Sequence, residues 1–280
     1  MGHNLRVSDQ DSADDESKLA KELIEGGSDI AGAATGAAIG LVGGPAGVVG
    51  GAVAGAALGR VLKRVGAEIR RRILSPREEL RIGAAAAFAG EKIVASLGTG
   101  REPRTDGFFD DSTTDRSAAE ELLEGVLLKA RDAYEEKKLR YLGNLYANLA
   151  FAPQVSPAHG NHLIALAGRL TYRQLVALAV AGDENRRDQL RHRDFRDDQP
   201  ALDVLGVDGI GVITELYELY QQGLMNGGEA AWISVADVNP GEMRAQGSGR
   251  VLATLMELET VPIADRQPYY RLFPASDHST

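Results

Sequence analysis

The sequence predicts a mainly α-helical protein: a Gly/Ala-rich apolar helix or helical hairpin, a middle region of long helices, and a small C-terminal α+β module. Three observations lead to this prediction. An uncharged stretch near the start carries glycine at helical spacing, two Ser-led capping boxes open long apolar periodicities, and the last part has short elements separated by Gly and Pro. We place the domains at residues 1–28, 29–74, 75–152 and 153–280.

Composition narrows the classes of function. The chain has 280 residues, a net charge of −9 and no cysteine. An acidic balance argues against non-specific nucleic-acid binding. The absence of cysteine excludes disulfides, thiolate metal sites and thiol catalysis for these residues. Residues 1–28 are a polar, acidic tail without the pattern of a signal peptide, so we expect a cytoplasmic protein.

Residues 31–59 (AGAATGAAIGLVGGPAGVVGGAVAGAALG) are 29 residues without a charge. Their glycines fall on two four-residue ladders, which on a helix form stripes where another helix backbone can approach closely. The predicted self-association and membrane residues are Gly32, Gly36, Gly40, Gly43, Gly44, Gly47, Gly51, Gly55 and Gly59. In water each glycine costs about 1 kcal/mol relative to alanine, so we expect this segment to contact lipid or further copies of the chain.

Pro45 leaves two geometries open for this segment. The stretch is long enough for a single kinked membrane span, whereas Gly43-Gly44-Pro45 is also a turn signal that would give a hairpin of two shorter helices. A tightly packed hairpin inside a soluble protein is the alternative to membrane contact.

A basic helix follows. Its cations, which we predict to lie at an anionic membrane surface, are Arg60, Lys63, Arg64, Arg70, Arg71 and Arg72. Val61, Leu62, Val65, Ile69 and Ile73 give the same helix an apolar stripe. The alternative is an ordinary core helix with a solvated basic face.

Two capping boxes define the middle region. Ser75-Pro76-Arg77-Glu78 opens a helix to about Leu97, and Ser117-Ala118-Ala119-Glu120 opens a pattern that continues to about Ala150. The mixed polar and aromatic side chains near its end predict a partner contact: Tyr141, Asn144, Tyr146 and Asn148. Phe108 and Phe109 are expected to anchor the loop between the two helices to the core.

The C-terminal part predicts helices from Ser156 and Thr171, another over 213–222, a strand over 231–235, a turn at Asn239-Pro240-Gly241 and a helix over 249–257. Helices, then a strand pair, then a helix suggest a winged-helix-like module. The candidate recognition helices carry only Arg173 and Arg250, so nucleic-acid binding is not expected.

The search for chemistry finds no P-loop, no nucleophile elbow, no zincin motif and no dinucleotide fingerprint. His159 and His162 stand three residues apart without nearby carboxylates, which is a weak metal pattern. We therefore expect a non-enzymatic protein without a cofactor or a metal.

Three features together resemble bacterial abortive-infection alpha-like proteins: the segment GAATGAAIGLVGGPAG, the helix with YEEKKLRYLGNLYANLAF, and the small mixed C-terminal module. The resemblance covers residues 26 to 260 in arrangement. It implies a role in defence against phage, with toxicity or growth arrest when triggered, and it supplies no catalytic residues.

The sequence thus predicts a membrane-acting effector that associates with the inner membrane from the cytoplasm. Its expected partners are the lipid bilayer, further copies of the same chain, and a protein encoded nearby. The alternative is a soluble regulator or adaptor that binds a protein or a small signal through the C-terminal module.

Overall fold

The computed structural model describes residues 52–72, 74–111, 115–183, 190, 201–229 and 231–273. These residues form nine α-helices and one pair of short strands, so the prediction of a mainly α-helical protein is confirmed for them. The helices are α1 (Ala52–Arg70), α2 (Pro76–Gly98), α3 (Ala118–Asp132), α4 (Lys138–Leu149), α5 (Pro157–Arg169), α6 (Tyr172–Gly182), α7 (Ala201–Gln221), α8 (Gly247–Leu255) and α9 (Ile263–Leu272). The strands are β1 (Met225–Asn226) and β2 (Arg244–Ala245).

The chain divides into two compact units. The described residues up to Gly168 form the first unit, and those from Arg169 onward form the second. Each unit has its own buried apolar side chains.

In the first unit, α2, α3 and α4 each pack on the other two. Helices α2 and α4 approach each other closely at Gly143. A Cβ at this position would lie 2.7 Å from the carbonyl oxygen of Ala85 and 2.9 Å from the amide nitrogen of Ala89. Glycine is therefore required for the backbones of α2 and α4 to lie this close together.

Helix α1 packs on α3, and α5 does so as well. The α1 contact is apolar along one face, which the following buried side chains form: Ala57, Leu58, Val61, Leu62, Val65 and Ile69. At α5, Gly160 faces the side chain of Leu122 on α3.

The predicted capping boxes are confirmed. Ser75 accepts the amide N–H of Glu78, and the carboxylate of Glu78 accepts the amide N–H of Ser75 at 2.7 Å. Ser117 and Glu120 make the same reciprocal pair at 3.2 and 3.0 Å. Helix α6 begins in the same way at Thr171 with Gln174. Phe108 is buried as expected, with the ring of Phe109 edge-on at 5.0 Å.

The prediction of one continuous helix from Ser117 to about Ala150 is wrong. Helix α3 ends at Asp132 and α4 begins at Lys138. In the break the side chain of Tyr134 is 78% exposed, so this position no longer follows the apolar face of α3. The break allows α4 to pack on α2 as well as on α3.

In the second unit, α6 is the central helix. Every residue from Gln174 to Ala181 is buried, and α7, α8, α9 and β2 all pack on this helix. Helix α7 begins earlier than the predicted 213, with a kink at Gly206 where φ is +67°. Strands β1 and β2 pair antiparallel, with Met225 opposite Ala245.

The predicted strand over 231–235 is wrong. Here side chains take the backbone hydrogen bonds that a neighbouring strand would otherwise make. The amide of Trp232 donates to the Tyr220 hydroxyl, the Tyr217 hydroxyl donates to the carbonyl of Ile233, and the amide of Ile233 donates to Asp237. Val235 to Asp237 form a 3-10 turn, and the predicted turn after Asn239 is present.

Candidate functional site

The glycine ladders lie mostly outside the described residues, which include Gly55 and Gly59 but not Gly32 to Gly51. Gly55 and Gly59 are both on α1, one helical turn apart. Where the ladder can be followed, it is therefore on a helix. Among the described residues no single helix has both the length and the apolar composition of a membrane span; only α5 and α6, taken together across the break between them, reach that composition.

The predicted basic residues fall into two groups on and just after α1. Arg60, Lys63 and Arg71 are exposed. Arg64 and Arg72 have side chains that are 49% and 37% exposed, and they also form ion pairs with carboxylates of α3. The side chain of Arg70 is outside the described part of the chain.

We call the charges that join α1 to α3 the α1–α3 ion-pair network; it consists of Arg64, Glu68, Arg72, Arg116, Glu120 and Glu124. Arg64 contacts Glu120 at 3.2 Å, and its guanidinium also donates to the carbonyl of Asp115 at 2.6 Å. Arg72 pairs with Glu124. Arg116, just before α3, lies 2.7 Å from Glu124 and 3.5 Å from Glu68.

The two carboxylates of α3 in this network are shielded from solvent. The side chain of Glu120 is only 5% exposed and that of Glu124 is 16% exposed. Burial alone would raise the pKa of Glu124. The hydrogen bond from Arg116 and the charges of Arg116 and Arg72 outweigh burial and hold the pKa below its ordinary value. The network therefore favours an ionised Glu124.

A cleft of about 580 Å³ lies beside this network. Helix α1 lines one side with Arg60 and Lys63, and the loop before α3 contributes Phe109 and Asp110. Cations of α1 and carboxylates of the loop before α3 both line it.

The residues predicted to contact a partner lie in the interior of the first unit. Tyr141, Asn144, Tyr146 and Asn148 are all buried on α4. Arg101 donates to the side-chain oxygen of Asn148 at 3.1 Å. The hydroxyl of Tyr146 is buried with no hydrogen-bond partner among the described residues, and burial, with the nearby charge of Glu120, raises the pKa of this phenol.

Arg104 is a structural residue that the sequence did not single out. Its buried guanidinium donates to the carbonyls of Leu149, Ala152 and Val155, pairs with Asp106, and lies over the ring of Phe108 at 4.4 Å. Arg104 therefore fixes the loop before α3 to the end of α4. Only the position of Arg104, four residues before Phe108, could have indicated this role.

A larger cleft, of about 920 Å³, lies in the second unit. Its polar wall includes Asn226, Arg244, Gln246 and Arg250, and its apolar floor is formed by α6. The Oδ1 atom of Asn226 is buried and accepts no hydrogen bond from the described residues. The cleft is large enough for a small metabolite.

Arg173, one of the two cations on the candidate recognition helices, is engaged within the second unit. Two of its guanidinium nitrogens contact the two carboxylate oxygens of Glu215 on α7, each at 2.8 Å. Arg250 is exposed on α8. Among the described residues no group of three metal-ligating side chains occurs.

Comparison of the chain with protein-family models, with curated proteins and with solved structures gives no match.

Proposed function

We propose that this protein is a membrane-acting effector whose glycine-rich segment inserts into the inner membrane and self-associates there. The observation that carries the proposal is the uncharged stretch of residues 31–59, whose glycines recur every four residues. Such stripes let helices pack closely where lipid gives no hydrophobic drive for association. The helical placement of Gly55 and Gly59 supports the assumption that the ladder has helical geometry.

Helix α1 joins this segment to the rest of the chain. Its apolar face is buried against α3, while Arg60, Lys63 and Arg71 remain on the surface. The first unit then serves as the body that carries the segment, and the exposed cations favour an anionic leaflet.

The biological setting we propose is abortive infection in response to phage, on the strength of the resemblance in residues 26 to 260. The effect on the cell would come from membrane perturbation by several copies of the chain, without bond-making chemistry. A protein encoded nearby would act as trigger.

The test replaces two glycines of one ladder in the full chain, as Gly47→Leu and Gly51→Leu. Leucine raises the hydropathy of the segment but fills the stripe, so self-association should fail while lipid affinity is retained. We expect dye release from vesicles of equal parts phosphatidylglycerol and phosphatidylcholine to fall at least about tenfold, because close helix packing is lost.

The matched control is Ala46→Leu with Ala52→Leu, which places two leucines beside the ladder and adds only one carbon atom fewer at each position. Dye release by this control should stay near that of the natural protein. Equal release by the Gly47→Leu/Gly51→Leu protein and the natural protein would contradict the proposal.

The second candidate function is a soluble regulator that binds a small signal in the cleft of the second unit. The polar wall with Arg244, Gln246 and Arg250 favours it. Fractionation separates the two candidates. If the full chain stays in the membrane pellet after carbonate extraction, the effector is supported. If the full chain is monodisperse without detergent and its melting temperature rises with inorganic phosphate, the regulator is supported.

A further inference from the structure

Helix α1 is attached to the first unit through one face. Its buried side chains follow one helical stripe and pack on α3, whereas α2, α3 and α4 pack on one another. Releasing α1 would leave the mutual contacts of those three helices in place. Helix α1 can therefore be regarded as a separable element on a three-helix core.

The buried face of α1 is the face that a lipid surface would need. An amphipathic helix in a membrane interface buries its large apolar side chains among the acyl chains. On α1 these are Leu58, Val61, Leu62, Val65 and Ile69, and all five are covered by protein. The same face cannot contact protein and lipid at once, so docking on α3 and binding to a membrane exclude each other.

Docking also neutralises part of the positive charge of α1 and the turn that follows. Arg64 is paired with Glu120, and Arg72 with Glu124. Both cations would add to the attraction for an anionic leaflet if α1 were free. The α1–α3 contact thus conceals the apolar face and reduces the basic charge at the same time.

We infer that the docking of α1 on α3 is an autoinhibitory contact, which restrains the glycine-rich segment until α1 is released and binds an anionic lipid surface. This inference rests on the proposed membrane function and assigns its regulation to the α1–α3 ion-pair network. A trigger would act by stabilising the released state relative to the docked one.

The first variant to test is Glu124→Arg, which places a cation against Arg72 and Arg116 and leaves the sequence of α1 unchanged. The matched control is Glu121→Arg, the same change of charge at an exposed position of α3. We expect about tenfold more binding to phosphatidylglycerol/phosphatidylcholine vesicles for Glu124→Arg, since like charges now oppose docking. Glu121→Arg should match the natural protein.

The second variant allows the turn after α1 to be cross-linked to α3. The chain contains no cysteine, so Arg72→Cys with Glu124→Cys supplies a unique pair that a short bismaleimide can bridge. Before bridging, this protein should bind vesicles more than the natural protein does, because Glu124 no longer pairs with Arg72 or with Arg116. After bridging, binding and dye release should fall to or below the natural level.

Hydrogen exchange over residues 52–70 without lipid shows independently whether α1 is released. Bridged and unbridged proteins that bind vesicles equally would overturn the autoinhibitory contact and leave the membrane function intact. Faster exchange of α1 in Glu124→Arg without vesicle binding by any variant would overturn the membrane function itself. Unchanged exchange and unchanged binding in Glu124→Arg, while the natural protein does bind vesicles, would also overturn the inference.

Discussion

Single side chains fix the connections of the first unit. Arg104 is the clearest case, because one buried cation satisfies three carbonyls at the end of α4 and beyond it, together with Asp106. A buried charge is tolerated only when its hydrogen bonds are made in this way. The loop before α3 therefore depends on a residue that neither periodicity nor motif identifies.

Replacing Arg104 should be costly. Arg104→Met keeps the length of the stem but removes the guanidinium hydrogen bonds to three carbonyls and to Asp106. We expect the free energy of unfolding to fall by about 2 kcal/mol or more, because buried carbonyls lose hydrogen bonds from a charged donor. Urea denaturation measures this loss, with Arg71→Met, at an exposed position, as the control that should change little. A loss in Arg104→Met no larger than in the control would contradict this role.

The lowered pKa of Glu124 predicts that the free energy of unfolding depends on pH. Its pKa in the folded protein lies below the ordinary value of 4.5. The ionised form is therefore favoured by folding, and its contribution is complete above that value and is lost as the pH falls through the lower folded pKa.

The comparison for this prediction is Glu124→Gln, which cannot ionise. The natural protein should exceed the variant in free energy of unfolding at neutral pH, and the difference should shrink as the pH is lowered below 4.5. Urea unfolding followed at several pH values tests this. A difference that grows toward acid would show that the sign is wrong.

At the scale of elements, the approach of α4 to α2 depends on Gly143. A Cβ there would also lie 2.8 Å from the Cβ of Phe88, and all three nearest atoms belong to backbone or to a Cβ that cannot rotate away. We expect Gly143→Ala to lower the free energy of unfolding by about 2 kcal/mol or more because the helices must separate.

The control for this substitution is Gly98→Ala. Gly98 is the last residue of α2, and a Cβ there would meet nothing within 4 Å. Its effect should therefore be close to zero or slightly stabilising. Equal losses in the two variants would contradict the close approach at Gly143.

Helix starts could be predicted well from the sequence. Ser75, Ser117 and Thr171 begin helices because each carries a side-chain acceptor three residues before Glu or Gln. Interruptions could not be predicted in the same way. The break between α3 and α4 contains neither Gly nor Pro, and the apolar period of the sequence continues through Tyr134.

The prediction of a strand over 231–235 is wrong for a related reason. Trp232 and Ile233 alternate between buried and exposed positions, as in a strand. The alternation arises because Trp232 packs on Tyr220, with ring centroids 5.0 Å apart. Tyr217 and Tyr220, many residues earlier, take the backbone hydrogen bonds, and such long-range competition is invisible in a local pattern.

The candidate site shows the same limit. The cations of α1 and the ladder glycines could be named from the sequence. The carboxylates that neutralise Arg64 and Arg72 could not, because the sequence indicates only a capping role for Glu120 and no special role for Glu124. Tertiary packing alone brings residues 64 and 120 within 3.2 Å.

At the scale of the whole molecule, each of the two units has its own buried apolar side chains. We expect more than one unfolding transition by calorimetry, since each core is a cooperative unit of its own. Gly143→Ala should lower the transition of the first unit. Gly249→Ala should lower that of the second, because its Cβ would overlap the carbonyl of Leu224.

The measurement is differential scanning calorimetry of the two variants beside the natural protein. Each substitution should shift a different transition. A single transition that both substitutions shift equally would show that the chain unfolds as one cooperative unit.

The distribution of contacts along α1 has a mechanical consequence. Among the described residues, the ion pairs with α3 begin at Arg64, whereas Ala57 and Leu58, nearer the start of α1, are buried apolar side chains. Tension applied at residue 52 would break the contacts of Ala57 and Leu58 first and would then separate α1 from α3 one helical turn at a time. Detachment from that side therefore breaks the contacts one after another rather than all at once.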